Sequence, residues 1–225
     1  MTNSELPLQK IVWDLDGTIV DSFSIHEAIL EQVLPVHDLE LPPREELLAH
    51  FHGQLHESIG GLLGARVSEA QLQQIIKDFL VVDDAYITHP DDHFFRDAVD
   101  LANRAYAQGI EQLVVTNRAH GVDRGNASPR TMLQNSALRH MINRVICGDE
   151  GEHRKPAAAV LQGVDFDPGT TLVVGDQFVD ARFACNLGAR AVLVCRHDAI
   201  PHLEQLPEGW QASVQIVHSL DEVQL

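Results

Sequence analysis

Short, continuously apolar runs punctuate the chain at residues 10–14, 112–116, 144–148, 171–175, 191–195 and, more weakly, 213–217. They are rich in Val, Ile and Leu and show little polar alternation. A strand with one wet face alternates apolar and polar residues, so continuous runs predict strands covered on both faces. Between the later runs, apolar residues recur at helical spacing over 97–108, 129–141, 156–162 and 176–187. Gly109 and Gly188 stand where helix-ending glycines belong. Strands alternating with helices predict an α/β fold, with a Rossmann-like doubly wound parallel sheet as its core.

The interval 21–92 breaks this rhythm. It carries no strand pattern but has amphipathic helical stretches at 22–34, 44–51, 57–63 and 68–83, separated by Pro35, Pro42, Pro43, Gly53 and Gly64. A structureless connection of that length is uncommon inside a compact domain. The expected organisation is therefore a core of residues 1–20 and 93–225, with a helical cap over 21–92 inserted after the first strand.

Charge narrows the partners. The 225 residues include 16 Lys and Arg against 33 Asp and Glu, a formal net charge of −17. Binding to nucleic acid calls for a basic stripe along the phosphates, and none is visible. An anionic membrane surface would repel the chain, and no apolar run is long enough to span a bilayer. Residues 1–10 lack the apolar centre of a signal peptide. Cys147, Cys185 and Cys195 form no CxxC pair, so a reducing, cytoplasmic location is expected.

The candidate chemistry sits at the ends of the runs. The first ends in Asp14-Leu15-Asp16-Gly17-Thr18. Carboxylates two apart at a strand end face the same way, at the edge where open parallel sheets bind ligands. Gly17 permits a sharp turn beside them. A calcium loop fails on this segment, because Thr18, Ile19 and Ile25 occupy the places of its third acid, its glycine and its final Glu. The second run ends in Thr116-Asn117-Arg118, a hydroxyl with adjacent amides that suits a phosphate oxygen. Lys155, one of only three lysines, precedes Pro156 at a predicted helix start. The fourth run ends in Gly175-Asp176, with Asp176 placed to cap the next helix and Asp180 one turn on. Gathered at one rim, Asp14, Asp16, Asp176 and Asp180 repel more strongly than one lysine can offset. A hard cation such as Mg²⁺ offsets them, and it favours carboxylates together with substrate phosphate. Asp14 and Asp176 are the expected side-chain ligands, Asp16 the expected backbone ligand, and Asp180 the expected partner of a metal-bound water or of Lys155.

The order of these pieces resembles the haloacid dehalogenase superfamily. The resemblance rests on Val12 to Thr18, then Val114 to Asn117, then Lys155-Pro156, then Val174-Gly175-Asp176 with Asp180. The segment from Asp180 to Arg190 is similar to its phosphoglycolate-phosphatase-like and β-phosphoglucomutase-like branches. The resemblance implies an Mg²⁺-dependent phosphomonoesterase acting on a small phosphorylated metabolite; a monomer or homodimer is expected. It implies that Asp14 attacks phosphorus to form an aspartyl phosphate. Asp16 then acts as general acid and base, Thr116 holds a phosphoryl oxygen, and Lys155 neutralises charge. Beside Asp14, the carboxyl of Asp16 is expected to have a raised pKa. Gly17, Asn117 and Arg118 are expected to meet the substrate. The segment 50–59 resembles a cap specificity loop, which nominates His52, Gln54 and His56 for the leaving group. A sugar-phosphate mutase is the nearest alternative, although Leu55 and His56 stand where that branch carries a basic residue. A non-enzymatic phospho-aspartate receiver is usually about half this length and lacks a cap. An idle scaffold has no reason to keep so much like charge together.

Overall fold

The computed structural model describes residues 7–51, 55–120, 125–196 and 203–225. The six apolar runs form β1 (Lys10–Trp13), β2 (Glu111–Val115), β3 (Arg144–Ile146), β4 (Thr171–Gly175), β5 (Arg190–Val194) and β6 (Val214–Val217). They make a single parallel sheet in the order β3-β2-β1-β4-β5-β6. The chain builds outward from β1 to β3, then crosses back to lay β4 against the other side of β1. Strand order thus reverses between β1 and β4, the switch point where such sheets open a crevice. Register fixes what meets there. Trp13 pairs with Val114 on one side and Val174 on the other. The residues that follow these positions therefore leave the sheet at about one level.

Both faces of the sheet are covered along the inner strands β2, β1, β4 and β5, as the continuous runs predict. The edge strands β3 and β6 leave Arg144, Gln215 and Ile216 exposed, because each strand has a neighbour on one side only. Ile11 and Trp13 pack into one apolar cluster, while Val12 packs into another with Phe183 and Leu187. This division follows the two-residue alternation of a strand. The buried indole of Trp13 donates from Nε1 to Gln112 Oε1 at 3.1 Å, and Gln112 Nε2 donates to the Ala102 carbonyl at 3.0 Å. The polar atoms inside this face therefore have partners, which avoids the cost of burying them bare.

Between β1 and β2 lie α1 (Ser22–Val33), α2 (Arg44–His50), α3 (Leu55–Leu63) and α4 (Glu69–Tyr86). Asp21 starts α1 by accepting the Ser24 amide at 3.1 Å. Ser68 and Gln71 start α4 with a reciprocal capping box, in which each side chain accepts the other residue's amide. Ile25, Ile29, Leu47, Ile59, Ile75 and Phe79 are fully buried and share the apolar cluster of Trp13. These helices are thus tied to the sheet by packing as well as by the chain. Among the described residues, no helix is long and apolar enough to cross a membrane.

The remaining helices are α5 (Arg96–Ala107), α6 (Pro129–Gln134) and α7 (Phe178–Leu187). Two predicted helices are shorter than their patterns. The stretch 129–141 is α-helical only to Gln134, because the Ser136 hydroxyl accepts the Leu138 amide and restarts the chain as a 3₁₀ turn. The stretch 156–162 yields only the 3₁₀ turn Ala158–Leu161. Its small alanines bury little surface, and so short a segment cannot repay helix nucleation. The α7 helix is capped by Gln177 rather than Asp176, since the Asp176 carboxylate is turned elsewhere.

Candidate active site

The carboxyl edge gathers side chains from strand ends far apart in sequence. Asp14 follows β1, Thr116 follows β2, Asp176 follows β4, and Asp180 stands in the first turn of α7. Lys155 reaches in from the loop between β3 and β4. Its Nζ donates to Asp14 Oδ1 at 2.6 Å and to Asp180 Oδ1 at 2.7 Å. All three groups are buried. Carboxylate oxygens of Asp14, Asp176 and Asp180 lie within 4.8 Å of one another. The convergence expected for these acids and Lys155 is therefore present in the geometry.

Two glycines make room for this packing. Gly17 has φ of +77°, and a Cβ there would lie 2.3 Å from Asp176 Oδ2. A side chain at Gly17 would be strained in backbone and would collide with a carboxylate. Gly175 is extended, yet a Cβ on it would lie 2.3 Å from Asp180 Cγ. Only the absence of that atom lets Asp180 lean over the strand end toward Lys155. From there Asp180 Oδ2 also accepts the Gln177 amide at 3.1 Å. Thr18 Oγ1 donates to Asp176 Oδ1 at 3.3 Å, which draws that carboxylate toward the β1 turn and away from the helix it was expected to cap.

Burial and crowding set the proton affinities. Burial is the larger reason that the Asp14 carboxyl is pushed up to about 7; Lys155 pulls it down, and Asp180 and Asp16 push it further up. Asp176 lies well above the ordinary carboxylate range, again through burial first and then through Asp14 and Asp180. Burial works against the charge on Lys155, but its two carboxylate partners outweigh this and raise its proton affinity. The cluster thus holds more acid than its one ammonium can neutralise, in a place with little water.

Asp16 departs from expectation. Burial pushes its carboxyl upward, but Arg118, with smaller help from His26 and Lys155, overrides this and holds it below the usual carboxylate range. The Arg118 guanidinium pairs with both Asp16 oxygens through Nη2 and Nε, the latter at 3.1 Å. The raised value expected from its proximity to Asp14 is therefore reversed. A like charge nearby counts for less than an opposite charge in hydrogen-bond contact.

The other nominated residues are placed as follows. Thr116 is buried, and its hydroxyl accepts the Arg118 amide at 3.0 Å. Asn117 lines the cavity and clamps the backbone of Lys155. Its Oδ1 accepts the Lys155 amide at 2.9 Å, and its Nδ2 donates to the Lys155 carbonyl at 3.1 Å. Arg118 lines the cavity but spends its guanidinium on Asp16. His56 also lines it, with Nε2 3.5 Å from Glu69 Oε1. His52 and Gln54 lie outside the described residues. The sequence marks Gly175 as part of the fourth run's ending but assigns it no role, although its place directly before Asp176 could have flagged one. It passes over His26, which has no local signal. The His26 ring lines the cavity against Phe51, with centroids 5.1 Å apart, and against Phe79 at 5.4 Å.

The acids open into a cavity of about 630 Å³ between the sheet edge and the helices α1 to α4. This falls within the range of sites for small organic molecules. The acid set fits a hard divalent cation. It offers only oxygen donors, they are close enough to share one ion, and their excess negative charge is otherwise uncompensated.

The family model for haloacid dehalogenase-like hydrolases matches residues 11–194. A phosphoglycolate phosphatase of Pseudomonas putida is 26% identical over 194 residues, spanning 81% of this chain and 67% of that protein. Among solved structures, a "predicted phosphoglycolate phosphatase" from Haemophilus somnus superposes with a TM-score of 0.75 at 17% identity, covering 95% of each chain. YfnB of Bacillus subtilis, solved bound to magnesium, superposes with a TM-score of 0.71 at 17% identity, covering 96% of this chain and 97% of the other.

Proposed function

The chain belongs to the haloacid dehalogenase-like hydrolases and is a phosphatase of that family, and we propose that it is an Mg²⁺-dependent phosphomonoesterase working through phospho-Asp14. The observation that carries this reading is the position of Lys155 Nζ, 2.6 Å from Asp14 and 2.7 Å from Asp180, beside Asp176. Phosphoryl transfer asks chiefly for positioning and for charges that stabilise the transferring group, and this set supplies both.

Asp14 and Asp176, with the Asp16 backbone carbonyl, would hold Mg²⁺, and Asp180 would steady Lys155 against them. When bound, the cation supplies positive charge that keeps the carboxylates ionised and draws in the substrate phosphate. Asp14, so ionised, attacks phosphorus from the floor of the cavity. The Thr116 hydroxyl and neighbouring amides hold the phosphoryl oxygens, and Lys155 offsets their developing charge. Asp16 gives a proton to the departing alcohol oxygen. It then takes a proton from the water that attacks phospho-Asp14, which frees phosphate and restores the carboxylate. Arg118 must loosen its hold on Asp16 for the first of these transfers, and an incoming phosphate competes for that guanidinium. The helices α1 to α4 serve as the cap that closes the cavity over the substrate.

Steady-state hydrolysis of p-nitrophenyl phosphate tests the reading. Turnover is expected to require Mg²⁺, to vanish with EDTA and to vanish in Asp14→Asn. Undiminished turnover in that variant would remove Asp14 as nucleophile. Failure of the wild type to hydrolyse any phosphomonoester would remove the activity itself.

A further inference from the structure

The cavity is far larger than its acidic floor. Its upper wall, supplied by α1 to α4 and by Phe51 at the end of α2, presents Phe23, Leu48, Phe51, Leu55, Ile76 and Leu80. Except for buried Phe23, these side chains are only partly buried, although each packs against the apolar core. Apolar surface left facing a water-filled cleft is favourable to cover.

Cationic groups are distributed in the opposite way. Among the described residues lining the cavity between 21 and 92 there is no Lys or Arg, and the only basic side chains are His26 and His56. The core-side arginines that reach the cavity are engaged. Arg118 pairs with Asp16, and Arg196 makes a two-pronged pair with Asp97 at 2.7 and 2.9 Å while lying over the Phe95 ring. Arg154 stands at the phosphate end next to Lys155, with Nε given to the Gly148 carbonyl at 2.7 Å. Among the described residues of α1 to α4, a leaving group bearing its own carboxylate or phosphate would meet hydrocarbon with only His26 and His56 to offset its charge, which is costly.

Resting on the phosphomonoesterase reading above, we infer that the substrate is the phosphate ester of an alcohol with an uncharged, apolar body of several carbons. Esters of small hydroxy acids, diphosphates and sugar bisphosphates fit poorly. The phosphate lies at the acidic floor, and the hydrocarbon part lies along Phe51, Ile76 and Leu80. Specificity then comes from buried apolar area, each methylene contributing about two- to fourfold to kcat/KM according to how fully it is buried.

The n-alkyl phosphates from ethyl to hexyl provide the test. The acidity of the leaving alcohol hardly changes along this series, so differences in kcat/KM report burial and not chemistry. With Mg²⁺ present, kcat/KM is expected to climb about two- to fourfold per methylene. Hexyl phosphate should also exceed phosphoglycolate by at least about tenfold. In Leu80→Asn the increment per methylene should fall; a purely structural disturbance would lower every member by one common factor and leave the increment intact. Acetyl phosphate, an acyl phosphate whose acetate leaves readily without help from contacts to its body, serves as the control for phosphoryl transfer itself. Turnover of acetyl phosphate with a flat alkyl series, or with phosphoglycolate preferred, overturns the substrate class alone. No turnover of any alkyl phosphate, nor of acetyl phosphate, overturns the phosphomonoesterase reading beneath it.

Discussion

Replacing Asp14 with Asn is expected to destroy turnover and, in metal-free solution, to make the protein more stable. Asp14 is buried among Asp180, Asp176 and Lys155, and its carboxyl rises from an ordinary 3.8 to about 7. A raised acid binds its proton more tightly in the folded state than in the unfolded one. As pH increases past about 4, the unfolded chain sheds this proton first, so stability drains away until the folded-state value near 7 is passed. At about 1.4 kcal/mol per unit, the roughly three-unit difference amounts to about 4 kcal/mol at pH 8 and under about 1 kcal/mol at pH 4. Asn carries no titrating proton and escapes the loss. Lys155 keeps Asp180 at 2.7 Å, so the variant does not strand a buried cation. Urea unfolding in EDTA measures the difference. With a slope of about 2–3 kcal/mol/M, the midpoint of Asp14→Asn should lie about 1–2 M above wild type at pH 8 and close to it near pH 4. Adding Mg²⁺ should narrow or reverse the gap, because the wild type gains binding free energy that the variant lacks. A variant no more stable than wild type at pH 8, or a gap independent of pH, would refute the account of a crowded, uncompensated acid cluster.

Other perturbations probe the same cluster from different sides. Lys155→Met leaves Asp14 and Asp180 without their shared cation. It should cost about 3–5 kcal/mol in metal-free urea unfolding and lower kcat by at least about a hundredfold; a variant as active as wild type would exclude Lys155 from catalysis. Gly175→Ala places a Cβ against Asp180 Cγ. Mg²⁺ affinity measured by calorimetry should fall by about ten- to a hundredfold, and an unchanged titration would separate Asp180 from the cation. Arg118→Met removes the group that depresses Asp16. A depressed carboxyl adds stability above the unfolded value of 3.8 and loses it as pH falls through the folded value. The variant should therefore lose about 1–3 kcal/mol at pH 7, and the deficit should close below about pH 4. A deficit that persists in acid would mean that Arg118 acts by packing alone.

Much of this protein is readable from its primary structure. All six strands fall on the apolar runs, and the run at 171–175 coincides with β4 (Thr171–Gly175). Burial on both faces of the inner strands writes them directly into composition, because nearly every position is then apolar. The acids, Thr116 and Lys155 were also legible, since each follows a strand end or opens a helix pattern whose position the periodicity marks. Local competition was harder to see. Nothing in 156–162 announces that its alanines will settle for a single 3₁₀ turn, and nothing at Asp176 announces that Thr18 will draw its carboxylate away from α7.

What the amino-acid order determined alone was therefore periodic or adjacent: element type, approximate boundaries and the spacing of reactive side chains. Tertiary structure decided which charges touch. The pairing of Arg118 with Asp16 joins residues 102 positions apart, and the clearance over Gly175 depends on how α7 leaves β4. The apolar wall above the acids likewise comes from helices whose neighbours no periodicity names. Hydrophobic pattern constrains each segment against water, but Coulomb and contact energies depend on distance, and distance between remote residues exists only once the sheet register is set.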